Sequence, residues 1–395
     1  MAVSIATGIV DTEARLSSER VVDMDPKIGL KETDNAQFMT ILKNLPSDDA
    51  TQVEVRWLED QLFPNRTTLG TSANSANSGT TSTFAVATGT GAYFRANDIL
   101  YVEATGEKAE VVSISTDNVV VNRNIGATLG VSAQSANSGV GIVIVANANA
   151  QGADTGTLAS TKRVLGYNYT QIFRNPFGFT GTDSEIALYG ADDPEREAAK
   201  KRVEHKRALE NAVWLGTRKF TSQASSSKGY MGGIAEYLST NVFTAFGALS
   251  LTGFDVKIQQ ILQDGDMNKV LFASPLAARG LSHLFDARWQ SAQNDDVLLG
   301  AKVSAFLDGA YGTRTPVIVK REWGAMGTTG YGLGGALFVI DLGSVKRRPM
   351  RNRDTRLLPN RQGNGEDKVV FDYLTEMSFE LKNESKHGAF FGITG

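Results

Sequence analysis

The chain of 395 residues contains no cysteine, which excludes disulfide bonds, thiolate metal sites and cysteine nucleophiles. Its three histidines, His205, His283 and His387, leave few candidates for acid–base catalysis or imidazole ligation. No apolar run approaches the roughly 20 residues that a membrane-spanning helix needs. The N-terminus has no basic start before an apolar stretch, so we predict no signal peptide and expect a soluble protein of the cytoplasm.

Charge of neither sign dominates the chain. Lysine and arginine total 40 against 43 aspartate and glutamate residues, and the formal net charge is -3. No global positive field therefore draws the protein to nucleic acid or to an anionic membrane. A hydrophobic fraction of 41% with 8% aromatic residues is ordinary for a globular protein, and the length suffices for two or three cores.

Two motifs match part of the sequence pattern of a cofactor or metal site, but the residues or the helix that such a site also requires are missing. GYGLGG at 330–335 satisfies the letters G-x-G-x-x-G, but a strand-like stretch follows where a dinucleotide site needs a helix, so we predict a flexible glycine loop. DGDMN at 264–268 begins like a calcium loop, but Lys269 replaces the required glycine and Pro275 falls where the bidentate glutamate should be.

No catalytic constellation is found either. His283 and Asp286 lie three residues apart on a predicted helix, without a nucleophile motif, and helix packing is the preferred interpretation. An enzyme would require these two residues to belong to an unrecognised site. We therefore predict no catalytic residue, no metal site and no cofactor.

A mostly charged stretch, DDPEREAAKKRVEHKRALENAVWLG at 192–216, predicts one long helix. Asp192 or Asp193 can cap its N-terminus, and Gly216 suits a left-handed C-cap. His205, in the middle of the charged residues, is expected to be solvated. The apolar residues form only a thin seam: Val203, Leu209, Val213 and Leu215. The spacing predicts ion pairs within the helix, Glu197 with Lys201 and Glu204 with Arg207.

Two alternating strands enclose a long excursion of the chain. The first is QVEVRWLED, with Val53, Val55 and Trp57 on one face, and the second is GYNYTQIFR at 166–174. The near copies SANSANSG (72–79) and SAQSANSG (132–139) predict flexible connectors. Four further stretches predict short strands: DILYVEA, AEVVSIS, VVVNRN and GIVIVAN. If the two enclosing strands pair, a small β-rich module is carried at the far end of a two-stranded arm.

The flanking regions differ in character. Residues 1–50 hold few aromatics and one short helical pattern around NAQFMTILKNL, so they could form an arm that gains order only against another surface. Residues 228–344 alternate helical and strand patterns (FDVKIQQIL, KVLFA, PLAARGLSHLF, PVIVK, ALFVIDL), which indicates an α/β domain with a buried sheet.

A long strand, VVFDYLTEMSFELKN, closes the chain and could lie along the charged helix. One face carries Phe371, Tyr373, Met377, Phe379 and Leu381, and the other carries Asp372, Glu376, Glu380 and Lys382. Just before it, residues 346–361 hold seven cations: Lys346, Arg347, Arg348, Arg351, Arg353, Arg356 and Arg361. We prefer pairing with acidic groups, chiefly of other subunits, over weak contact with phosphate, because no aromatic residue is present to stack on bases.

This order of parts resembles the HK97-type major capsid protein of tailed double-stranded DNA phages. VRWLEDQLFP, GYNYTQIFRNPFGFTGT, ALENAVWLG and TEMSFELKNESKHGAFFGITG are similar to stretches of the SU10-like major capsid branch. The resemblance implies an α+β fold with an N-terminal arm at 1–50 and an extended β-hairpin loop at 51–165 with a β-rich insertion at about 84–147. It also implies a peripheral domain at 166–227 and 345–395 with a spine helix at 192–216, and an axial α/β domain at 228–344.

The resemblance further implies a structural function in the virion. Subunits would form pentamers and hexamers of an icosahedral shell around double-stranded DNA, with at most weak DNA contact and no membrane. The expected partners are further copies of the chain, a separate scaffolding protein, a portal and a decoration or cement protein, with assembly in the host cytoplasm. An encapsulin-like compartment, which has the same fold but encloses protein cargo, is the alternative. A surface or fibre protein is disfavoured because repeats throughout the chain and a secretion route are missing.

Seven residues are predicted to serve assembly. Trp57 and Tyr169 would anchor the base of the arm. Glu197 and Lys201 would offer charge to subunit boundaries, and Arg347, Arg348 and Arg351 would pair between subunits.

Overall fold

The computed structural model describes residues 36–71, 81–126, 137–153, 158, 160–186, 193–223, 226–265, 269–284, 289–290, 297–298, 301–302, 304–307 and 314–394. The chain divides into two units: Leu58–Val164, called here the barrel unit, and the remainder, called the main body. The predicted connector at 72–79 and most of the one at 132–139 lie outside the described residues.

The α-helices are α1 Gln37–Asn44, α2 Gly181–Glu185, α3 Asp193–Leu215, α4 Ile234–Tyr237, α5 Leu251–Leu262 and α6 Pro275–Leu284. The strands are β1 Glu54–Glu59, β2 Arg66–Thr68, β3 Thr81–Ala85, β4 Asp98–Val102, β5 Lys108–Ser115, β6 Asn118–Arg123, β7 Gly141–Asn147, β8 Val164–Tyr169, β9 Gln171–Thr180, β10 Lys219–Thr221, β11 Lys228–Tyr230, β12 Val242–Phe243, β13 Gly247–Ala248, β14 Lys269–Ala273, β15 Trp289–Gln290, β16 Val297–Leu298, β17 Ala301–Lys302, β18 Ser304–Leu307, β19 Arg314–Val319, β20 Leu337–Asp341, β21 Val345–Pro349, β22 Arg356–Leu358, β23 Lys368–Leu381, β24 Gly388–Phe390 and β25 Ile393–Thr394.

A mixed seven-stranded sheet forms the centre of the main body, in the order β12-β24-β20-β14-β19-β18-β15. Strands β14 and β20 are buried along their whole length, which explains their continuous apolar sequences. On one face of the sheet, Leu271 and Val339 pack with Phe254 and Ile258 of α5. On the other face, Phe272 packs in a second cluster with residues of α1 and α3. The sheet is thus covered on both faces, and the helices and strands predicted between 254 and 342 are confirmed.

The long strand β23 organises a second sheet. It pairs antiparallel with β9 over ten residues, and its other edge pairs with β22 and then β21. All residues from Asp372 to Leu381 are buried, so the polar face that carries Asp372, Glu376 and Glu380 is covered as well as the apolar face. Their burial follows from arginine side chains of neighbouring segments, which cover that face.

Strands β1 and β8 pair as a two-stranded sheet, as the alternating patterns predicted. Val55 and Trp57 are buried, but Val53, predicted on the same face, is 43% exposed and precedes the strand. The predicted single strand at 166–174 is two strands, because Thr170 leaves the ladder and its N–H donates to the Val53 carbonyl oxygen.

Helix α3 ends at Leu215, close to the predicted boundary, but Gly216 does not adopt a left-handed conformation. A Cβ atom at Gly216 would lie 2.2 Å from the Met231 carbonyl oxygen and 2.4 Å from that of Ala212. The position therefore requires glycine for close backbone approach and not for a positive φ. The residues predicted to cap the N-terminus lie outside the described side chains.

Helix α1 belongs to the core of the main body, although the sequence places it in the arm. Phe38, Ile41 and Leu42 are fully buried. The Phe38 ring lies 4.7 Å from that of Trp214 on α3 and 4.9 Å from that of Phe272 on β14. Residues from 36 onward are thus ordered by packing against their own chain.

The barrel unit contains a six-stranded antiparallel sheet in the order β2-β7-β4-β5-β6-β3. A bridge between Leu69 and Val86, flanked by hydrogen bonds from Gly70 N–H to the Ala85 oxygen and from Ala87 N–H to the Thr68 oxygen, joins the two terminal strands. The sheet therefore closes into a barrel around its own apolar cluster. Strands β4 to β7 match the four predicted stretches, whereas β2 and β3 were missed because RTT and TSTFA are short and polar.

Candidate functional site

Helix α3 carries a buried face that is wider than its apolar seam. His205, Leu209, Glu210, Val213 and Trp214 are all buried and recur at the helical spacing of one face. The prediction that His205 is solvated is wrong. Sequence reasoning missed both polar members of this face, because their partners are distant in the chain.

Glu210 joins three elements in the core. Its carboxylate accepts hydrogen bonds from the backbone N–H groups of Phe38 (3.4 Å) and Met39 (3.2 Å) and pairs with the Lys320 ammonium. Ala36 at the N-cap of α1 has no side chain that can accept from these N–H groups, so a residue of α3 takes that role. Burial raises the pKa of the Glu210 carboxyl, and the positive charge of Lys320 opposes that shift.

His205 links α3 to the sheet of β9 and β23. Its Nδ1 hydrogen-bonds with Oδ1 of Asn175 at 2.6 Å, its Nε2 hydrogen-bonds with the Thr375 hydroxyl at 2.7 Å, and its ring stacks against Tyr373. Burial lowers the pKa of His205, while the Asp372 carboxylate acts in the opposite direction. The ring is therefore a neutral structural link between helix and sheet.

The acidic residues of β23 are held by cations of the same chain. Arg174 donates to Asp372 at 2.6 Å, and Arg353 donates to Glu376 at 2.5 Å. Glu380 lies 3.0 Å from Lys382 and 3.4 Å from Arg348. Ion pairs with these cations offset the burial of the three carboxylates, which explains how a charged face can lie inside the protein, although Oδ1 of Asp372 has no hydrogen-bond partner among the described residues.

Most cations of the segment 346–361 that were expected to contact other subunits have partners within their own chain. Arg347 is 6% exposed and makes two hydrogen bonds to Asp354, at 2.9 and 2.6 Å. Arg348 also pairs with Asp48, at 3.3 Å. Arg351 differs, because its side chain is exposed and has no ion-pair partner in the described part of the chain.

The exposed charges of α3 pair differently from the prediction. Lys200 pairs with Glu197 at 3.4 Å, and Lys201 pairs with Glu204 at 2.6 Å. Arg207 reaches out of the helix to Glu322 at 3.0 Å. The charge of α3 is thus partly self-paired, as predicted, but these pairs differ from the predicted Glu197–Lys201 and Glu204–Arg207. Spacings of three and four residues are both compatible with contact on a helix, and the sequence did not distinguish them.

Trp57 and Tyr169 lie on the paired strands β1 and β8. The Trp57 indole fills the space above Gly166, where a Cβ atom would come within 2.3 Å of Nε1. The Trp57 ring lies 6.0 Å from that of Tyr237, and Tyr169 stacks on Phe220 at 5.4 Å.

A cation reinforces these aromatic contacts. The Arg218 guanidinium lies 4.2 Å from the Tyr167 ring centre and 5.3 Å from that of Tyr237. Sequence reasoning found Trp57 and Tyr169 but missed these three residues, of which only Tyr167 lies in a predicted strand.

The residues considered for catalysis and metal binding have structural surroundings. His387 is buried; its Nδ1 accepts from the Asp341 N–H, its Nε2 donates to the Lys382 oxygen, and burial lowers its pKa to about 4. His283 is exposed, and Asp286 lies outside the described residues. Within the described ranges, no group of three or more histidine or acidic side chains could hold a metal ion, and no helix is long and apolar enough to cross a membrane.

The two rejected motifs also have structural roles. Lys269, in place of the calcium-loop glycine, donates from Nζ to the backbone oxygens of Ile261, Asp264 and Lys386, each at 2.7 Å, and so caps the C-terminal end of α5. The glycine motif at 330–335 is not the flexible loop that was predicted. Cβ atoms at Gly332 and Gly334 would lie 2.1 and 2.2 Å from backbone oxygens, so the glycines permit a tight, buried turn.

Comparison with protein families gives a match over nearly the whole chain. A model of the SU10 major capsid protein family matches residues 7–394. No curated protein matches the sequence.

Solved structures give weaker likenesses. The capsid of a native GTA particle is 8% identical with a TM-score of 0.49, covering 97% of this chain and 98% of that one. A Mycobacterium phage Bobi chain is 12% identical with a TM-score of 0.46, covering 95% and 96%. The SrpI encapsulin of Synechococcus elongatus PCC 7942 is 10% identical with a TM-score of 0.44, covering 59% and 78%. These likenesses are too remote to assign the chain.

The fold agrees with the family match: a long, mostly charged helix lies between a mixed central sheet and a long closing strand, and the two buried histidines, His205 and His387, make structural hydrogen bonds. The chain belongs to the SU10 major capsid protein family and is therefore a structural subunit with the HK97-type fold, not an enzyme, which assembles with copies of itself into the shell of a phage virion.

Proposed function

We propose that the main body supplies both domains of the shell subunit. Residues 228–344, which contribute most strands of the seven-stranded sheet, form the axial domain. Residues 166–227 and 345–395 form the peripheral domain, with α3 as its spine, although β24 crosses over to complete the axial sheet. The N-terminal arm ends before α1, because α1 lies in the core.

The segment 51–165 acts as the extended loop that contacts a neighbouring subunit. The observation that carries this proposal is a set of exposed apolar side chains near both ends of the loop: Leu58, Leu62, Leu158, Val164 and Leu165. Leu62 is 92% exposed. Apolar residues concentrated in two short stretches are typical of an interaction surface, and burying them against the next copy of the chain stabilises the assembly.

The seven predicted interface residues contribute in different ways. Trp57 and Tyr169 fix the base of the extended loop through their aromatic contacts. Glu197 and Lys201 remain partly accessible on α3. Among the three arginines, Arg351 is the one whose exposed charge is available to a neighbour, while Arg347 and Arg348 shape the segment that presents it.

The closed shell requires further partners. A scaffolding protein, a portal and a decoration or cement protein are proposed, with assembly in the host cytoplasm and weak contact with the enclosed double-stranded DNA. Modest contacts suffice between subunits, because each copy engages several neighbours at once.

Electron microscopy of the purified full-length chain after size-exclusion chromatography tests these roles. We expect closed shells or rings of five and six subunits. The variant Leu62→Ser with Leu158→Ser should shift the elution toward monomers, whereas the matched control Leu357→Ser with Val369→Ser, which removes exposed apolar residues of the main body, should assemble normally. Equal assembly of both variants would contradict the role of the loop, and a wild-type chain that stays monomeric even with lysate from infected host cells would contradict shell assembly.

A further inference from the structure

A small cavity in the main body is lined by an excess of positive charge. It has a volume of about 130 Å³ and lies where α1, α3, β21 and the segment following β21 meet. Lys43, Arg202, Lys206 and Arg347 line it, against the single carboxylate of Asp354. Four cationic side chains from three elements thus surround a space of roughly four water molecules, if each occupies about 30 Å³.

Asp354 does not neutralise this cluster. Its carboxylate is engaged by two hydrogen bonds from Arg347. Burial acts to raise the pKa of Asp354, yet the pKa lies below its ordinary value because of Arg347, the Thr355 N–H and the charge of Lys43. The hydrogen bonds of the carboxylate are therefore made within the chain, chiefly to Arg347, and its single negative charge faces four cationic side chains.

Two cations of the cavity are available for a ligand. Lys43 and Arg202 are exposed, and neither makes a hydrogen bond or ion pair with any residue that the structure describes. Arg202 and Lys206 are separated by four positions on α3, a spacing at which like charges repel and destabilise a helix. An anion bound between them would relieve that repulsion.

Arg347 adds a buried donor. The residue is only 6% exposed, and its Nε has no hydrogen-bond partner among the described residues. A buried N–H group without a partner is unfavourable, so an acceptor oxygen that reaches this donor would stabilise the bound state. Guanidinium and ammonium groups converging on a small space suit a tetrahedral oxyanion with several acceptor oxygens.

We infer that this cavity is a binding site for a phosphate group, either a free phosphate ion or a backbone phosphate of enclosed DNA. Binding of a DNA phosphate rests on the proposed shell function, in which the shell encloses DNA. The site goes beyond shell assembly, because it gives the subunit a small-anion ligand that ties α1 to α3 and to the basic segment.

Titration of the full-length protein with inorganic phosphate at constant ionic strength tests the site. We compare the variant Lys43→Gln with Arg202→Gln against the control Lys219→Gln with Arg356→Gln, which removes two exposed cations outside the cavity. Calorimetry should show phosphate binding to the wild type, at least tenfold weaker binding to the cavity variant and less than a twofold change in the control. Acetate at the same concentration should not compete.

Two results would overturn the site: a wild-type protein that does not bind phosphate, or an equal loss in both variants. If the double variant does not fold, Arg202→Gln alone, on the exposed side of α3, should still weaken binding severalfold, and unchanged binding would also overturn the site. These outcomes do not depend on shell formation and are therefore distinct from a failure of the proposed function.

A short DNA duplex followed by fluorescence anisotropy across a salt series identifies the source of the phosphate. If DNA occupies the site, the cavity variant alone should weaken DNA binding. The slope of log affinity against log salt should then become shallower by about 0.9 for each DNA phosphate that the variant no longer neutralises. Equal DNA affinity of both variants, with weakened phosphate binding in the cavity variant alone, assigns the site to free phosphate.

Discussion

Glu210 of α3 and Lys320, directly after β19, form an ion pair in the core, with each side chain 1% exposed. The same carboxylate accepts the first free N–H groups of α1, so one ionised residue fixes the entry of the chain into the fold. Lys320 in turn follows a strand that is parallel to β14 in the central sheet. The spine helix, the first helix and the central sheet are thus joined at one charged contact.

Removing one partner of this pair should destabilise the main body strongly. Lys320→Met leaves a buried carboxylate without its counter-charge, and we expect the free energy of unfolding to fall by about 3–5 kcal/mol. The double variant Glu210→Leu with Lys320→Met should lose less, because no uncompensated charge remains. Urea denaturation of dissociated subunits measures both. A double variant less stable than the single one would contradict this account.

The stability of the main body should depend on pH through His387. Its pKa is about 4 in the folded protein, against an ordinary value of 6.5. Between these values the unfolded chain binds a proton that the folded chain does not, so the free energy of unfolding should fall by about 3 kcal/mol as the pH falls through this window. The shift of His205 acts in the same direction.

The variant His387→Asn should flatten this pH dependence, whereas the control His283→Asn, at an exposed position, should retain it. Urea denaturation at a series of pH values from neutral to acidic provides the measurement. A steep acid dependence that survives in His387→Asn would show that other groups are responsible.

Two arginine–glutamate pairs of the barrel unit provide a matched comparison. Arg123 and Glu107 form two hydrogen bonds, at 2.8 and 2.5 Å, with both side chains fully buried. Arg66 and Glu103 form the same arrangement at 2.7 and 2.8 Å on the surface. Arg123→Ala should destabilise the barrel unit by about 3–5 kcal/mol, and Arg66→Ala by less than about 1 kcal/mol.

Hydrogen exchange of the barrel-strand amides, measured as the temperature is raised, gives the stability of the barrel unit in both variants. It does so separately from the stability of the main body. Similar losses in Arg123→Ala and Arg66→Ala would mean that burial does not set the strength of the pair.

The end of α3 should not tolerate a side chain at Gly216. A Cβ atom there would overlap two backbone oxygens, so Gly216→Ala should destabilise the main body by about 1–3 kcal/mol. Gly327→Ala is the control, because a Cβ atom at that position meets no atom within 4 Å. Differential scanning calorimetry of both variants should show a lowered melting temperature for Gly216→Ala only; a neutral Gly216→Ala would indicate that the backbone shifts freely.

The local pattern of apolar and polar residues predicted the strands that this pattern alone defines. KVLFA and ALFVIDL are apolar on both faces and form the inner strands β14 and β20, and the alternating stretches of the excursion form β4 to β7. The barrel's closure was not predicted, because β2 and β3 carry few apolar residues.

The burial of His205 and Glu210 was not predicted because their partners lie far away in the sequence. His205 binds Asn175 and Thr375, 30 and 170 positions away, and Glu210 binds Lys320, 110 positions away. In isolation both residues look like part of a solvated polar helix. Trp57 and Tyr169 could be identified because aromatic residues stand out within an alternating strand, whereas Arg218 and Tyr237 lie outside such a pattern.

The closed sheet of the barrel unit has a consequence for how the sequence of this unit can vary. Its first and last strands are joined to each other, so the sheet offers no free edge for another strand to add to, even when many subunits are crowded together. A change of length in a hairpin turn of the barrel leaves these two strands paired, so it does not by itself create an open strand edge for aggregation.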